Sequence, residues 1–155
     1  MVFYLMPDKF SAEIELVNKL RINLVDRGWT IIQLVCSGGQ AHFSISYDKG
    51  GKLKNIFPDV VAFNDENIFV GEIKEKFDEG DYLKLLELKL ADDGLRKLLK
   101  VVAMRSGNSY QQEDIIFSLV NSQITFNPVQ SIHQYVYSDG GFLLVAPLGL
   151  QTKYS

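Results

Sequence analysis

The 155-residue chain has one cysteine, two histidines and slightly more acidic than basic side chains. The single thiol, Cys36, excludes an internal disulfide, and with only His42 and His133 to complete a site, structural zinc is almost excluded. No run of 18 apolar residues occurs, so no membrane-spanning helix is expected. The formal net charge of −3 provides no overall basic field that would attract nucleic acid indiscriminately. A nucleic-acid partner would therefore need a local basic patch.

The length and the 46% hydrophobic content suit one soluble domain spanning residues 1–155. Neither a repeat nor a linker-like tract divides the chain. The stretch MVFYLMPDKFSAE lacks the basic region, apolar stretch and cleavage site of a secretion signal. The cytoplasm is therefore the expected location.

Hydrophobic periodicity and turn residues predict the element order α-β-β-β-β-α-β-α-β, which indicates an α/β fold with a mixed sheet flanked by helices. The predicted helices are 11–27, 81–105 with a break at 92–94, and one that starts at Asn127-Pro128 and places Val129, Ile132 and Val136 on one face. The predicted strands are 29–35, 41–47, 58–63, 68–74, 114–120 and 142–147.

The stretch FPDVVAFNDENIFVGEIKEK, residues 57–76, predicts a β-hairpin that carries charged residues at its open end. If residues 64–67 form a four-residue loop, Asp59 lies directly opposite Glu72. Opposed side chains share a face of the sheet, and Lys74, two residues further along, points to that face as well. A register slip of one residue would turn Glu72 and Lys74 to the other face.

Two opposed carboxylates repel each other, so this arrangement favours a divalent cation between them. Mg²⁺ prefers oxygen ligands and retains several waters, which suits a carboxylate pair. A lysine beside a metal-bound water can help to position or deprotonate a nucleophile, or can stabilise negative charge that develops on a phosphate. The hairpin thus predicts a site for Mg²⁺, with Mn²⁺ as a substitute, beside a lysine that suits either of these two roles.

The motif Pro58-Asp59, twelve intervening residues and Glu72-Ile73-Lys74 resembles that of the PD-(D/E)xK phosphodiesterases, the restriction-endonuclease-like superfamily. The element order from residue 10 to about 120 is similar as well. Within the superfamily the chain looks most like small Holliday-junction-resolvase-like and restriction-type nucleases.

This resemblance implies an αβββαβ core and Mg²⁺-dependent hydrolysis of nucleic-acid phosphodiesters by a homodimer. It also implies that Asp59 and Glu72 are metal ligands and that Lys74 is the lysine of the site. A glutamate of the first helix often joins the metal site in such nucleases, and Glu13 occupies a comparable place, as do Ser37-Gly38 for a loop before the catalytic strand. The insertion at 41–54 and the acidic pI of about 5.4 depart from the pattern.

Glu13 lies on the same helical stripe as Val17, Leu20 and Leu24, whereas Glu15 falls on the polar face. A glutamate on a core stripe needs a partner, which is consistent with a metal. A glutamate in the first turn can equally be a complement to the helix dipole. Both interpretations stay open at this point.

One basic stretch stands out, and it has two interpretations, a solvated helix face or a contact surface for backbone phosphates. Lys97 and Lys100 are its DNA-binding candidates; its other members are Lys84, Lys89, Arg96 and Arg105.

These observations leave two candidate functions. The first is a Mg²⁺-dependent endonuclease that acts on DNA, because the sequence shows neither an aromatic-rich platform for single strands nor an RNA-binding motif. The second is a catalytically idle nuclease-fold subunit that binds nucleic acid or a protein partner. The intact acidic and lysine residues of the motif favour the first. An acidic chain that needs an additional protein subunit for DNA affinity would favour the second.

Overall fold

The computed structural model describes residues 9–36, 41–122 and 129–148. The helices in these ranges are α1 (Lys9–Asp26), α2 (Glu79–Lys89) and α3 (Asp92–Ser106). The strands are β1 (Thr30–Leu34), β2 (Ile45–Lys49), β3 (Lys52–Ile56), β4 (Val60–Phe63), β5 (Ile68–Ile73), β6 (Ile115–Asn121), β7 (His133–Ser138) and β8 (Gly141–Val145). None of the helices described is both long and apolar enough to cross a membrane.

Six of the strands described form one mixed sheet in the order β1-β4-β5-β6-β7-β8. β1, β4 and β5 run antiparallel, β5, β6 and β7 run parallel, and β8 returns antiparallel to β7. Apart from the β2–β3 hairpin, the chain passes through α1, β1, β4, β5, the helices α2 and α3, and then β6. This order is αβββαβ with the second helix divided into α2 and α3, and the predicted α/β class with a mixed sheet flanked by helices is confirmed.

Helices cover both faces of the sheet, and its interior strands β4 and β5 are buried at every position. α1 packs on one face through Leu16, Leu20 and Leu24. α2 and α3 pack on the other face, through side chains that include Leu88 and Leu98. Because alternate residues of a strand point to opposite faces, Glu72, the charged residue of β5, points into one of these two helical layers. A charge buried in this way needs a specific partner.

The helix predicted over 81–105 is broken as expected, but at residues 90–91 and not at 92–94. α2 ends at Lys89, and Asp92 already begins α3. Gly94 allows the start of α3 to approach β2, because a Cβ at this position would lie 3.1 Å from a backbone oxygen of that strand. The break and the glycine together let α3 turn and pack on the inserted hairpin.

The helix predicted from Asn127-Pro128 onward is wrong, because His133–Ser138 forms strand β7. The start signal itself lies outside the described residues. The spacing of Val129, Ile132 and Val136 suits a helix, but the segment HQYVYS is rich in aromatic and β-branched residues that favour strands. Pairing with the open edge of β6 supplies hydrogen-bond partners for the backbone of β7 and still buries Ile132 and Val136. Tertiary context therefore decides the structure of this segment.

The strand predicted over 41–47 begins later than expected, at Ile45, and it does not join the main sheet. Instead β2 pairs with β3 in a separate two-stranded sheet. This hairpin is inserted between β1 and β4, so β3 leads almost directly into the Pro58-Asp59 motif.

Glu87 of α2 anchors the inserted hairpin. Its carboxylate pairs with Lys49 Nζ at 2.8 Å and also with Lys54 Nζ, and it accepts a hydrogen bond from the Tyr47 hydroxyl. Hydrogen bonds from Lys49, Lys54 and Tyr47 lower the pKa of Glu87 to about 2. The folded protein thus stabilises the ionised form of the Glu87 carboxylate.

We expect Glu87→Gln to lower the melting temperature at neutral pH, with an effect that disappears in acid. A folded-state pKa below the ordinary value means that Glu87 contributes stability above about pH 4.5, and that this contribution is lost as the pH falls towards 2. Thermal unfolding followed by circular dichroism between pH 7 and pH 2.5 measures the difference between the wild type and the variant. Glu79→Gln, an exposed position of the same helix, is the control. A difference that does not change with pH would contradict this account.

Candidate functional site

The predicted register of the β4–β5 hairpin is confirmed. Phe63 pairs with Ile68 and Val60 pairs with Gly71, so the next opposed positions outward are Asp59 and Glu72. This end of the hairpin lies where β1, β5 and β6 finish and β4 starts. The two carboxylates are therefore held at one edge of the central sheet.

Each carboxylate accepts a hydrogen bond from the backbone of the opposite strand. The N–H of Asp59 donates to Glu72 Oε2 at 2.9 Å, and the N–H of Ile73 donates to Asp59 Oδ2 at 2.9 Å. The Glu72 side chain is only 3% exposed. Within the described ranges the other oxygen of Asp59, Oδ1, accepts no hydrogen bond. The reciprocal bonds fix the two side chains next to each other and leave one carboxylate oxygen for a ligand.

Lys84 of α2 reaches the pair from the helical layer. Its Nζ lies 2.6 Å from Glu72 Oε1 and 3.1 Å from the carbonyl oxygen of Phe57. The sequence placed Lys84 only in the basic stretch and did not predict this contact. It depends on how α2 docks on the sheet through Leu85 and Leu88, and no local pattern specifies that docking.

The environment disfavours ionisation of both carboxylates. Burial and the neighbouring charge of Asp59 raise the pKa of Glu72 to about 7, although Lys84 acts in the opposite direction. Burial also raises the pKa of Asp59, with Glu13 adding to the effect and the Ile73 N–H, Lys84 and Lys74 opposing it. A lysine alone does not compensate for two carboxylates in this position, so the site favours additional positive charge.

Asp81 is a third carboxylate in this neighbourhood, and the sequence analysis missed it. Burial first and the charge of Asp78 second raise its pKa to about 6, and Asp59 contributes in the same direction. Its backbone N–H bonds the N-terminal cap of α2, Asp78 Oδ1, at 2.9 Å. Its own Oδ2 is buried and has no hydrogen-bond partner in the part of the chain that the structure describes. The only sequence signal was the position of Asp81 one turn before Lys84.

Lys74 and Glu13 lie close enough to Asp59 to influence its ionisation. Lys74 is half-buried, and its charge lowers the pKa values of both Asp59 and Asp81. Glu13 is buried on the core stripe as predicted, at 8% exposure. Burial is the main cause of the raised pKa values of Cys36 and Asp59, and the charge of Glu13 adds to both. Glu13 therefore approaches from α1, on the opposite side of the sheet from Lys84.

The donor set fits a hydrated magnesium ion held by two carboxylates. Mg²⁺ is commonly bound by one or two protein carboxylates together with waters and substrate phosphates. Asp59 and Glu72 are such a pair, and the buried Asp81 Oδ2 nearby lacks a hydrogen-bond partner among the described residues. No group of three or more His, Cys, Asp or Glu side chains in residues 9–36, 41–122 and 129–148 could by itself hold a metal. The role of Glu13 as a further ligand stays a prediction.

Gln33 is a second residue that the sequence did not single out. Its Oε1 accepts hydrogen bonds from the N–H groups of His42 and Phe43, at 2.9 and 2.7 Å. Its Nε2 donates to the carbonyl oxygens of Phe43 and Pro58, at 3.1 and 2.6 Å. The buried amide thus joins the segment that enters the inserted hairpin to the residue immediately before Asp59. In the sequence WTIIQLV a glutamine looks like an ordinary solvent-facing strand position.

Lys97 and Lys100 lie on the exposed face of α3, opposite the face that buries Leu95, Leu98 and Val102. Exposure is required for a phosphate contact and is equally expected of a solvated face, so their role in DNA binding stays a prediction. The predicted Ser37-Gly38 loop lies outside the described residues.

No protein-family model matches the chain, and neither does any curated protein. Among solved structures, the fold is similar to that of an XisH family protein from Nostoc punctiforme PCC 73102, with a TM-score of 0.38, 12% identity, and coverage of 84% of this chain and 98% of the other. It is also similar to a fdxN element excision controlling factor protein from Anabaena variabilis, with a TM-score of 0.37, 14% identity, and coverage of 86% and 98%. At these values neither structure assigns a family or an activity to this chain.

Proposed function

We propose that the protein is a Mg²⁺-dependent endonuclease that hydrolyses DNA phosphodiester bonds at the edge of its central sheet. The observation that carries this proposal is the Asp59–Glu72 pair, in which each carboxylate accepts a backbone N–H from the opposite strand. A buried acidic pair with raised pKa values is costly for a protein and is typical of functional sites. The match to the PD-(D/E)xK motif supports the same assignment.

In this proposal Asp59 and Glu72 would hold the cation, and Mn²⁺ would substitute for Mg²⁺. The bound cation would activate a water and would neutralise charge on the phosphate. Lys74 supplies a positive charge beside Asp59, where it can orient the attacking water or stabilise the phosphate in the transition state. The backbone bonds within the pair hold the carboxylates in place, so no rearrangement of the strands is needed before reaction.

Affinity for DNA would come from basic side chains outside the site, with Lys97 and Lys100 contacting backbone phosphates. A homodimer would place two sites on the two strands of a duplex, and an additional protein subunit would supply the basic surface that an acidic chain lacks. The cytoplasm is the proposed compartment. An idle subunit is the competing function, and it predicts DNA or protein binding that does not depend on the acidic pair.

The proposal is tested by incubating the purified protein with plasmid, linear, single-stranded and four-way-junction DNA in Mg²⁺, Mn²⁺ or EDTA. We expect cleavage that requires the cation and that is lost in Asp59→Asn. Asp65→Asn, an exposed position in the loop of the same hairpin, should cut normally. Wild-type protein that cuts none of these substrates, yet binds DNA equally with and without Mg²⁺, would favour the idle subunit.

Neutralising Lys97 and Lys100 together should weaken DNA binding without changing the cleavage rate of DNA already bound. Each lost phosphate contact should reduce the slope of log affinity against log salt by about 0.9, because fewer counterions are released. Fluorescence anisotropy with labelled DNA over a range of salt concentrations measures this slope. The control is Arg21→Gln with Arg27→Gln, two exposed positions, the first on α1 and the second just after its end. An equal loss in both double variants would assign the affinity to net charge and not to the face of α3.

A further inference from the structure

Lys84 occupies a position that is built for a cation. Its ammonium group lies between a carboxylate oxygen, Glu72 Oε1 at 2.6 Å, and a backbone carbonyl oxygen, that of Phe57 at 3.1 Å. One oxygen belongs to the acidic pair itself, on β5, and the other belongs to the segment that leads into β4, two residues before Asp59. Carboxylate and carbonyl oxygens are also the groups that hard divalent cations prefer.

The two oxygens of Glu72 have different tasks. Oε2 accepts the hydrogen bond from the N–H of Asp59 and thereby maintains the pairing of the hairpin. Oε1 is the oxygen that remains for a ligand, and Lys84 occupies it. Two cations do not share one buried oxygen at contact distance, because their charges repel strongly where water is excluded. A metal that binds Glu72 through Oε1 therefore competes directly with Lys84.

The burial of Glu72 explains why a stand-in is needed. A carboxylate that is 3% exposed loses nearly all its hydration, and a buried charge without a partner is strongly destabilising. The Lys84 side chain is 34% exposed, so it borders solvent and can withdraw into water when it is displaced. Lysine suits such exchange better than arginine would, since its ammonium is a point charge on a flexible stem.

We propose that Lys84 is the cation stand-in of the metal-free protein, and that the Lys84–Glu72 ion pair and the divalent ion at Glu72 exclude each other. This inference rests on the proposed function for the metal site itself. It adds that the site exchanges one cation for another, and that the lysine of α2 sets how tightly the metal binds.

The test compares Lys84→Met with Lys89→Met, the last residue of α2, a lysine that donates to the carbonyl oxygen of Ser131. Isothermal titration with Mn²⁺, and melting temperature with and without Mn²⁺, are measured for the wild type and both variants. Lys84→Met should melt at a lower temperature without metal, and should bind Mn²⁺ more tightly by about 5- to 150-fold, the usual range for two coupled binding events. Lys89→Met should bind Mn²⁺ with the affinity of the wild type.

A second measurement on the wild type avoids dependence on the folding of the variant. NMR of protein labelled with ¹⁵N-lysine follows the ammonium groups, with the signals of Lys84 and Lys89 assigned from Lys84→Arg and Lys89→Arg. Saturating Mg²⁺ should shift or broaden the Lys84 signal and leave the Lys89 signal in place. A Lys84 signal that does not respond to saturating Mg²⁺ would overturn the inference.

The outcomes also separate this inference from the proposed function. If the wild type binds Mn²⁺ and Asp59→Asn does not, while Lys84→Met binds it equally or more weakly, the metal site stands and the exchange is refuted. If the wild type binds no divalent cation at all, both are refuted. Tighter binding confined to Lys84→Met supports both.

Discussion

Lys74→Ala should lower the rate of Mg²⁺-dependent DNA cleavage by about 100- to 10,000-fold, the range expected when a group that moves or stabilises charge in the transition state is removed. The reason is that Lys74 places its charge beside Asp59 and contributes no carboxylate to the metal. Metal binding, measured by titration with Mn²⁺, should therefore persist. Most of the DNA affinity should persist as well, because it comes from phosphate contacts elsewhere.

Two comparisons sharpen this expectation. Lys76→Ala, an exposed lysine two residues further along the chain, should cleave like the wild type. Glu72→Ala should lose metal binding and cleavage together, since it removes a proposed ligand. Single-turnover cleavage of a labelled duplex at saturating protein separates the chemical step from binding. Cleavage that survives in Lys74→Ala would show that this lysine has a different role, and would direct attention to Lys84, the other lysine beside the pair.

The register of the acidic pair could be predicted because it depends on local features. A four-residue loop between two apolar runs fixes which residues lie opposite each other, and alternation then assigns their faces. The opposed positions of Asp59 and Glu72 follow from these two rules, whereas the face of Lys74 stays a prediction. The apolar stripe of α1 likewise predicted the burial of Glu13. Each of these inferences uses residues within one element or one hairpin.

The rest of the site depends on contacts between elements that are distant in the sequence. Lys84 reaches Glu72 only because α2 docks on a particular part of the sheet, and Asp81 is buried by the same docking. Gln33 bonds Pro58, which is 25 residues away, across the inserted hairpin. Periodicity reports which side of an element is buried, but it does not report which partner a polar group meets there. Such residues could not be distinguished from ordinary polar positions.

Residues 129–138 show a different reason why sequence patterns fail to predict structure. The spacing of Val129, Ile132 and Val136 satisfies a helical period, yet the same residues are compatible with a strand. A short apolar segment does not distinguish the two, and the open edge of β6 supplies the deciding contacts. The strand extends the sheet on the side away from the acidic pair, since β4 and β5 lie on the other side of β6. The wrong assignment therefore did not affect the prediction of the site.

Gln33→Leu should reduce the free energy of unfolding by about 2–4 kcal/mol, because it removes the partners of several buried or half-buried backbone groups at once. Leucine fills a similar volume but neither accepts the two N–H groups nor donates to the two carbonyl oxygens that the amide now bonds. Urea unfolding, monitored by tryptophan fluorescence, measures the decrease in the free energy of unfolding. Cleavage should fall as well, since the Pro58 carbonyl loses its anchor next to Asp59.

Gln134→Leu is the matched control for this prediction. Gln134 is buried as deeply, in β7, but its Oε1 has no hydrogen-bond partner among the residues described. Replacing a buried polar group whose potential is only partly satisfied should cost much less, and is compatible with a gain in stability. Equal losses in the two variants would show that burial of the glutamine, and not its four hydrogen bonds, determines the effect. A large loss confined to Gln33→Leu, with cleavage reduced in that variant alone, would identify the Gln33 amide as the group that positions Pro58 and, through it, Asp59.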